Sequence, residues 1–425
     1  MLDLDLLRDD PDRVRASMRA KRLGDPEAVD QALDADRQRR EAVTTLNGLQ
    51  QQQGEISRQI GPLMKEGRRD EAAPLLERSN ALKAEIKELE EQVRGLDDSL
   101  RSLLLSIPNV LHESVPVGTE ADNVVAAEWG GKPTFNFEPL PHWELAERHA
   151  LIDFERGAKV TGAGFPFYMG QGARLQRALI NLFLDLATEA GYTEVEAPIL
   201  VNEASGVGTG QLPDKDGQMY GVQVDGFYLV PTAEVPLTNL HRDEILDADA
   251  LPIRYTGYTP CFRREAGSYG KDVRGLNRLH QFDKVELVRF VRPEESYDHL
   301  EALLADAERA VEALGLPYRR LLLASGDLGV TQAKTYDLEV WSAGQGRWLE
   351  VSSVSNFEAY QARRANVRYR PEAGAKPEFV HTLNGSGLAL PRIVAALLEN
   401  GQQADGSVVL PEAVASYAGF DRIGW

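Results

Sequence analysis

The sequence predicts an α+β protein: a long antiparallel α-helical coiled-coil arm at the N-terminus, then a body in which antiparallel strands alternate with amphipathic helices. Three observations carry this expectation. Residues 28–107 are poor in aromatics and rich in Gln, Glu, Arg and Leu, and their second half holds an unbroken heptad seam. Two later stretches, 258–291 and 335–355, read as strand–turn–strand. Apolar stripes at helical spacing lie around them, at 172–190 and 294–315, with a third helix from about 388.

Bulk properties narrow the class. A chain of 425 residues has room for two or three domains. It contains no apolar run of about 18 residues, so no transmembrane helix is expected. The start, MLDLDLLRDDPDRVRAS, is acidic and lacks a signal peptide's layout. The single cysteine, Cys261, excludes an internal disulfide and a cysteine-cluster zinc site. Together these point to a cytoplasmic protein with no membrane partner. The net charge of −19 argues against coating nucleic acid by bulk attraction. A local basic stripe would still suffice for an RNA partner.

Met1 to Arg22 reads as a short amphipathic helix marked by Asp10-Pro11. The seam that follows runs through Leu82, Ile86, Leu89, Val93, Leu96, Leu100, Leu103 and Ile107 in alternating steps of four and three. A looser first half holds Leu33, Val43, Leu46, Leu49, Ile56, Ile60 and Leu63, and Gly61-Pro62 and Glu66 to Arg69 break the periodicity between the halves. Two helices of roughly 35 to 40 residues would fold back on each other and reach about 55 Å. Lys65, Arg68, Arg69, Arg78, Lys83 and Lys87 lie toward the tip, and Glu88, Glu90, Glu91, Asp97 and Asp98 toward the base. Such an arm suits either a dimerisation spacer or a probe for a phosphate backbone.

Val110 to Pro141 is rich in Pro and Gly and reads as a linker. A short helix, a strand pair around Thr161 to Met169 and the helix at 172–190 follow. Gly162, Gly164, Gly170 and Gly172 lack the dinucleotide fingerprint and a P-loop lysine, so they are turn glycines. In YLVPTAEVPLT, Thr232 reads as the cap of a helix with an acidic first turn.

The stretch from Thr259 to Val288 holds the densest chemistry. A strand ending at Cys261 and Phe262 meets Arg263, Arg264 and Glu265, then a glycine-rich cationic loop with Gly267, Gly270, Lys271, Arg274, Gly275 and Arg278. The return strand carries Phe282, Val285, Leu287 and Val291. Guanidiniums bind phosphate through paired charge-assisted bonds, and glycine lets backbone approach. The hairpin is therefore either a polyphosphate cradle or a charged surface hairpin.

Helix 294–315 buries Leu300, Leu303, Leu304, Ala307 and Val311, and Leu321 to Gly329 reads as a strand and turn. The hairpin at 335–355 turns at Gly344 to Gly346, and simple alternation puts Trp348, Glu350 and Ser352 on one face. There Glu350 with a nearby hydroxyl either shares a divalent metal or belongs to an exposed ladder. Arg363, Arg364, Arg368 and Arg370 suit contact with a phosphate backbone or a solvated face equally. Finally, FVHTLNGSGLALPRIVAALLEN reads as a strand, a Gly-Ser-Gly turn and a helix with Arg392 in its first turn. A cation there opposes the helix dipole unless an anion is bound nearby.

The strings FRREAG and RLHQFDKVE resemble motif 2 of class II aminoacyl-tRNA synthetases, and within that class the bacterial-type seryl-tRNA synthetases. The helix and strand at about 172–200, ending near Pro198, resemble motif 1. TAE and EVSS follow the family's order, and 379–398 resembles motif 3. The resemblance implies a class II synthetase-type antiparallel β-sheet core flanked by helices (111–425) behind an N-terminal tRNA-binding domain (1–110). It implies formation of seryl-adenylate from L-serine and ATP, then transfer to tRNA(Ser), and to tRNA(Sec) where that tRNA is present. It also implies a homodimer, Mg²⁺ and no zinc.

By the same resemblance, Arg263 and Arg392 are the catalytic cations, gripping the α- and γ-phosphates. Arg264, Glu265, Phe282, Val351 and Ser352 complete the ATP site, with Glu286, Thr232, Ala233 and Glu234 around the serine ammonium and Asn384 and Ser386 around the rest of the amino acid. Glu350 and Ser353 would hold Mg²⁺, while Lys65, Arg68, Arg69, Arg78 and Lys83 would grip tRNA. Two rival readings are a paralogue that loads a carrier protein, and an inactive coiled-coil adaptor. A full arm counts against the first; the presence of Arg263, Glu265, Glu350 and Arg392 counts against the second.

Overall fold

A computed structural model of the chain describes residues 1–214, 217–265 and 274–424. The loop positions Gly267, Gly270 and Lys271 lie outside the described residues. The chain divides into two compact units, Met1–Pro108 and Asn109–Trp425.

The first unit is all helical: α1 (Leu4–Asp9), α2 (Pro11–Lys21), α3 (Glu27–Lys65) and α4 (Arg69–Ser106). The single helix expected over 1–22 is two, because Asp10 caps a new helix by accepting from the Arg13 N–H and Pro11 starts it without needing a donor. α3 and α4 contain 39 and 38 residues, so each spans about 57 Å. Pro62 lies inside α3 near its end and forfeits one backbone bond there, so the chain reverses only at Glu66–Arg68, with Gly67 at φ 74°. Leu82 and Leu100 are buried and Ile86, Leu89, Val93 and Leu96 half-buried, as a seam covered by a single partner helix must be. Gln53 donates to Ser79 Oγ across the pair at 2.9 Å, and Arg39 pairs with Asp97. α1 is fastened by Arg8, whose Nη2 lies 2.6 Å from the fully buried Asp36 carboxylate, and Arg40 reaches the same group at 3.0 Å. The Arg8 bond outweighs burial and holds Asp36 below the usual carboxylate range.

The second unit is built on an eight-stranded sheet. Its strands are β1 (Val124–Trp129), β2 (Thr193–Glu194), β3 (Ile253–Phe262), β4 (Gln281–Val291), β5 (Tyr318–Leu322), β6 (Lys334–Ser342), β7 (Arg347–Asn356) and β8 (His381–Ala389). Their spatial order is β1-β5-β6-β7-β8-β4-β3-β2, antiparallel except for the β3–β2 pair. Helices α5 (His142–Arg148), α6 (Gln171–Glu189), α7 (Ser296–Ala313) and α8 (Leu390–Gly401) accompany it. Leu175, Leu179 and Phe183 of α6 share one core with Leu303 and Leu304 of α7 and Ile393 and Leu397 of α8. Among the described residues, no helix is long and apolar enough to cross a membrane.

Three local expectations change. The presumed linker contains β1, an edge strand whose residues are nearly all exposed and so show no apolar alternation. Of the strand and turn expected over 321–329, the strand lies earlier, at Tyr318–Leu322, and the turn is at Ser325–Asp327. Gly385, Ser386 and Gly387 lie within β8 rather than forming a turn. A Cβ on Gly385 would sit 3.2 Å from the Val354 side chain, and one on Gly387 3.1 Å from Leu287, so these glycines permit close packing instead of reversing the chain.

Candidate active site

The middle strands of the sheet carry a cavity of about 570 Å³. β4 contributes Phe282, Lys284 and Glu286, alternate residues that point to one face. β7 contributes Glu350, Val351, Ser353 and Ser355, and β8 contributes Asn384 and Ser386. Arg263 and Glu265 follow β3, Arg392 stands in the first turn of α8, and Thr232 and Glu234 close one end. The β3–β4 ladder pairs Cys261 with Phe282 and Thr259 with Lys284, which sets Arg263 beside the Phe282 ring.

At the Thr232 end, Glu286 is fully buried opposite Ser386. It accepts from the Thr232 hydroxyl, pairs with Lys284, and receives a 3.4 Å bond from Asn384 Nδ2. Glu234 is 7% exposed, and its Oε1 accepts from Gln361 Nε2 at 2.6 Å. Gln361 is oriented in turn by Thr382, whose Oγ1 donates to its Oε1 at 2.8 Å. Burial, reinforced by the charge of Glu286, pushes the Glu234 carboxyl up to about 7. Two carboxylates facing one lysine leave a place for one further small cation, and a primary ammonium matches it. Thr232 also accepts from the Glu234 N–H at 3.2 Å, one residue before the helix N-cap at Ala233 instead of at it.

The other end is cationic. Arg263 donates through Nε to the Pro231 carbonyl at 3.3 Å and lies 5.2 Å from the Phe282 ring centroid. Arg392 donates to the Asn277 carbonyl at 3.2 Å and to the Glu350 carbonyl at 2.8 Å, with the Glu350 carboxylate 3.4 Å away. Glu265 takes a left-handed φ of 49° and pairs with Arg278. Two guanidiniums at the walls and an aromatic face at the floor suit a nucleoside polyphosphate.

β7 departs from simple alternation. Glu350 pairs with Glu339, yet Ser352 pairs with Leu338, so a bulge at Val351 changes the face. Ser352 is consequently buried off the cavity, donating to the Ser386 carbonyl at 2.7 Å, while Ser353 faces in. Ala233 is buried in a neighbouring core cluster and Arg264 is exposed outside the cavity. The remaining expected catalytic-unit residues share this one cavity.

Glu350 and Ser353 are oxygen donors of the kind magnesium takes from a protein when phosphates supply the rest. Asp337 stands cross-strand from Ser353 with a buried Oδ1 that has no partner among the described residues, and burial with the Glu350 charge raises its carboxyl well above the usual range. A carboxylate pair of this kind fits a cation brought in by a bound polyphosphate. Among the described residues, no group of three or more His, Cys, Asp or Glu side chains is placed to hold a metal unaided.

Lys284, Gln361 and Asn277 are not in the sequence expectation, and Arg278 enters it only as a cation of the loop. Lys284 carried a signal, since it alternates with Glu286; Gln361 carried none, because it enters from a separate segment. On the arm, Lys65, Arg69 and Lys83 are exposed and free of ion pairs among the described residues. Arg68 instead pairs with Glu66 and Glu71, and Arg78 with Glu85.

Comparison with known proteins gives a consistent result. Residues 1–111 match the family model for the seryl-tRNA synthetase N-terminal domain, and residues 220–401 match the tRNA synthetase class II core domain (G, H, P, S and T). The chain is 63% identical over its full length to a serine–tRNA ligase from Salinibacter ruber, covering 99% of that protein. It is 53% identical to the one from Geobacillus kaustophilus, with 99% of each chain covered. A crystal structure of seryl-tRNA synthetase from Pyrococcus horikoshii complexed with ATP superposes with a TM-score of 0.93 at 37% identity, covering 100% of this chain and 99% of that one. The cytoplasmic enzyme from Naegleria fowleri in complex with AMP gives 0.88 at 30% identity, with the same coverage.

Proposed function

The chain belongs to the seryl-tRNA synthetase family, and from that premise we propose how its own residues divide the reaction. It is an ATP-dependent serine–tRNA ligase: serine and ATP give seryl-adenylate and pyrophosphate, and the seryl group then passes to the 3′-terminal adenosine of tRNA. tRNA(Ser) is the acceptor, and tRNA(Sec) where it is present. A homodimer in the cytoplasm is the working form, with the N-terminal unit as the tRNA-binding domain.

Glu286 and Glu234 receive the serine ammonium, with Thr232 and Asn384 holding Glu286 in place. Ser386, directly opposite Glu286 on the neighbouring strand, takes the serine hydroxyl. Arg263 bridges the serine carboxylate and the α-phosphate, with Phe282 under the adenine and Arg392 at the γ-phosphate. Glu265 reads the adenine amino group, after exchanging its Arg278 partner. The serine carboxylate is ionised at neutral pH, so it attacks the α-phosphorus without a general base. One P–O bond forms, the α–β bridge breaks, and pyrophosphate leaves with the electron pair. Catalysis is positioning and charge neutralisation. Glu350 and Ser353 fit Mg²⁺, which when bound offsets negative charge on the phosphates.

The observation that carries this reading is the meeting, in one cavity, of a buried carboxylate cluster and two arginines whose guanidiniums reach the opposite wall. Serine-dependent ATP–pyrophosphate exchange tests it. Exchange is expected with serine, with alanine disfavoured by about 10⁴ because its missing hydroxyl leaves polar groups unpaired, and with threonine excluded by volume at roughly 1–3 kcal/mol. No exchange with any amino acid would favour the adaptor reading.

A pH effect follows from Glu234. Its carboxyl is raised to about 7, so the protonated form stabilises the fold at low pH and that contribution is lost as pH rises through 7. Serine binding requires the ionised form. Serine affinity is therefore expected to fall nearly tenfold per pH unit below about 7 and to level off above it. Titration calorimetry from pH 5.5 to 8.5 should detect uptake of serine with proton release below 7; a flat affinity would remove Glu234 from the ammonium site.

A further inference from the structure

We propose that the buried His142–Glu399 pair is a positioning device for Arg392: it fixes the backbone segment against which the γ-phosphate arginine is aimed. The inference rests on the assignment of Arg392 to ATP given above. His142 and Glu399 are each fully buried and outside the cavity lining.

Arg392 is aimed by the Asn277 carbonyl, which accepts from its Nε at 3.2 Å. Asn277 lies in Arg274–Arg278, a segment with no helix or strand of its own, so its carbonyl is only as fixed as the contacts around it. Beside the Arg278–Glu265 pair and the Leu276 side chain buried in the core, three contacts hold it from the α5 and β6–β7 side. The Leu276 N–H donates to His142 Nε2 at 2.8 Å, Asn277 Nδ2 donates to Gln345 Oε1 at 2.9 Å, and the Arg274 guanidinium lies 4.7 Å from the Trp143 ring centroid. His142 and Trp143 open α5, so one helix end grips the segment twice. Gly275 has φ +67°, and a Cβ there would lie 2.3 Å from His142 Nε2, so the imidazole is seated directly against the backbone.

The protonation state follows from the donors. A backbone N–H can only donate, so Nε2 must present its lone pair and the ring proton must be on Nδ1. Nδ1 faces Glu399 Oε1 at 2.8 Å. Glu399 also accepts from the His142 and Gly344 N–H groups, each at 2.9 Å, from Gln345 Nε2 at 3.2 Å and from the Ser342 hydroxyl. Burial opposes its charge, but those bonds hold its carboxyl below the usual range. Glu399 is seven residues after Arg392, two turns along the same face of α8. α8 is thus tied to Arg274–Arg278 at both ends: Arg392 to the Asn277 carbonyl, and Glu399 through His142 to the Leu276 N–H. A buried ionic group is a poor source of stability but a good source of register, which is the use the geometry gives it.

The test separates the two ring nitrogens in the full chain. His142→Gln can place Oε1 where Nε2 was and still accept from Leu276. His142→Asn can still donate to Glu399 but leaves the Leu276 N–H without an acceptor. In serine-dependent ATP–pyrophosphate exchange, His142→Asn is expected to raise the KM for ATP about 10- to 100-fold, as for an unsatisfied buried donor, with the serine KM within about twofold. His142→Gln should stay within about threefold on both. Gln345→Ala, which frees the Asn277 side chain and removes one donor each to Glu399 and Ser342, should raise the ATP KM alone by about fivefold. Equal losses in Gln and Asn, losses that follow unfolding temperature instead of the ATP KM, or a matching rise in serine KM would each overturn the positioning role. If Gln and Asn both fail to fold, an unchanged ATP KM in Gln345→Ala overturns it. Absence of exchange in the unaltered protein would instead overturn the functional reading on which it rests.

Discussion

Arg263→Ala is expected to lower kcat/KM for serine-dependent ATP–pyrophosphate exchange by about 10³-fold, with the unfolding temperature nearly unchanged. The asymmetry comes from what the guanidinium touches. In the fold it has one 3.3 Å bond to the Pro231 carbonyl and the face of Phe282, interactions worth about 1 kcal/mol together. In the reaction it would meet both the attacking carboxylate and the α-phosphate, where negative charge concentrates. Loss of one preorganised donor at such a point costs about 10²–10³ in rate. Weakened ground-state binding of both substrates adds to that. Arg263→Lys should recover little, because a point ammonium cannot bridge two oxyanions bidentately. Steady-state exchange beside a thermal melt decides the matter. A loss below tenfold, or one matched by a fall in melting temperature, would remove Arg263 from the centre of the reaction.

Removing residues 1–108 is expected to abolish tRNA charging, by at least about 10³-fold, while exchange stays within about fivefold of the whole chain. The cut follows the compact units, the second of which contains every residue of the cavity. A cut of the two long helices alone would be misleading. α1 and α2 bury Leu7, Val14 and Met18, and Arg8 needs the Asp36 carboxylate of α3, so their remnant would expose apolar surface and an unpaired arginine. Lys65, Arg69 and Lys83, like Lys87, are exposed cations toward the tip with no ion pair among the described residues, whereas Arg68 and Arg78 would first have to leave their carboxylates. Replacing those three lysine and arginine side chains by alanine should weaken tRNA binding and flatten its salt dependence, leaving exchange intact. Filter-binding titrations at two salt concentrations would show it. Loss of exchange on removing 1–108 would mean the helical unit is a structural requirement of the second.

The sequence by itself determined what short-range periodicity can express. The heptad seam, read from Leu82 to Ile107, predicted the greater part of α4 and its end within a residue, but not its start at Arg69, because a repeating apolar step has one structural solution where it is unbroken. The strand–loop–strand pattern located β3 and β4, and although only Phe282 and Glu286 were expected in the site, period-two alternation between them puts Lys284 on the same face. The guanidiniums and carboxylates of the cavity were legible as residue types at motif spacings. Tertiary structure decided the rest, wherever the answer depends on a partner far along the chain. A bulge against β6 turned Ser352 away and Ser353 in, which strict alternation reverses. Close approach by Val354 and Leu287 kept Gly385 and Gly387 in a strand where local chemistry favoured a turn. Gln361, entering from 127 positions beyond Glu234, orients a carboxylate whose proton affinity is set by desolvation and by Glu286. His142 and Glu399 meet across 257 positions to hold a backbone amide. Hydrogen-bond partners and desolvation are properties of the packed whole, and no local pattern encodes them.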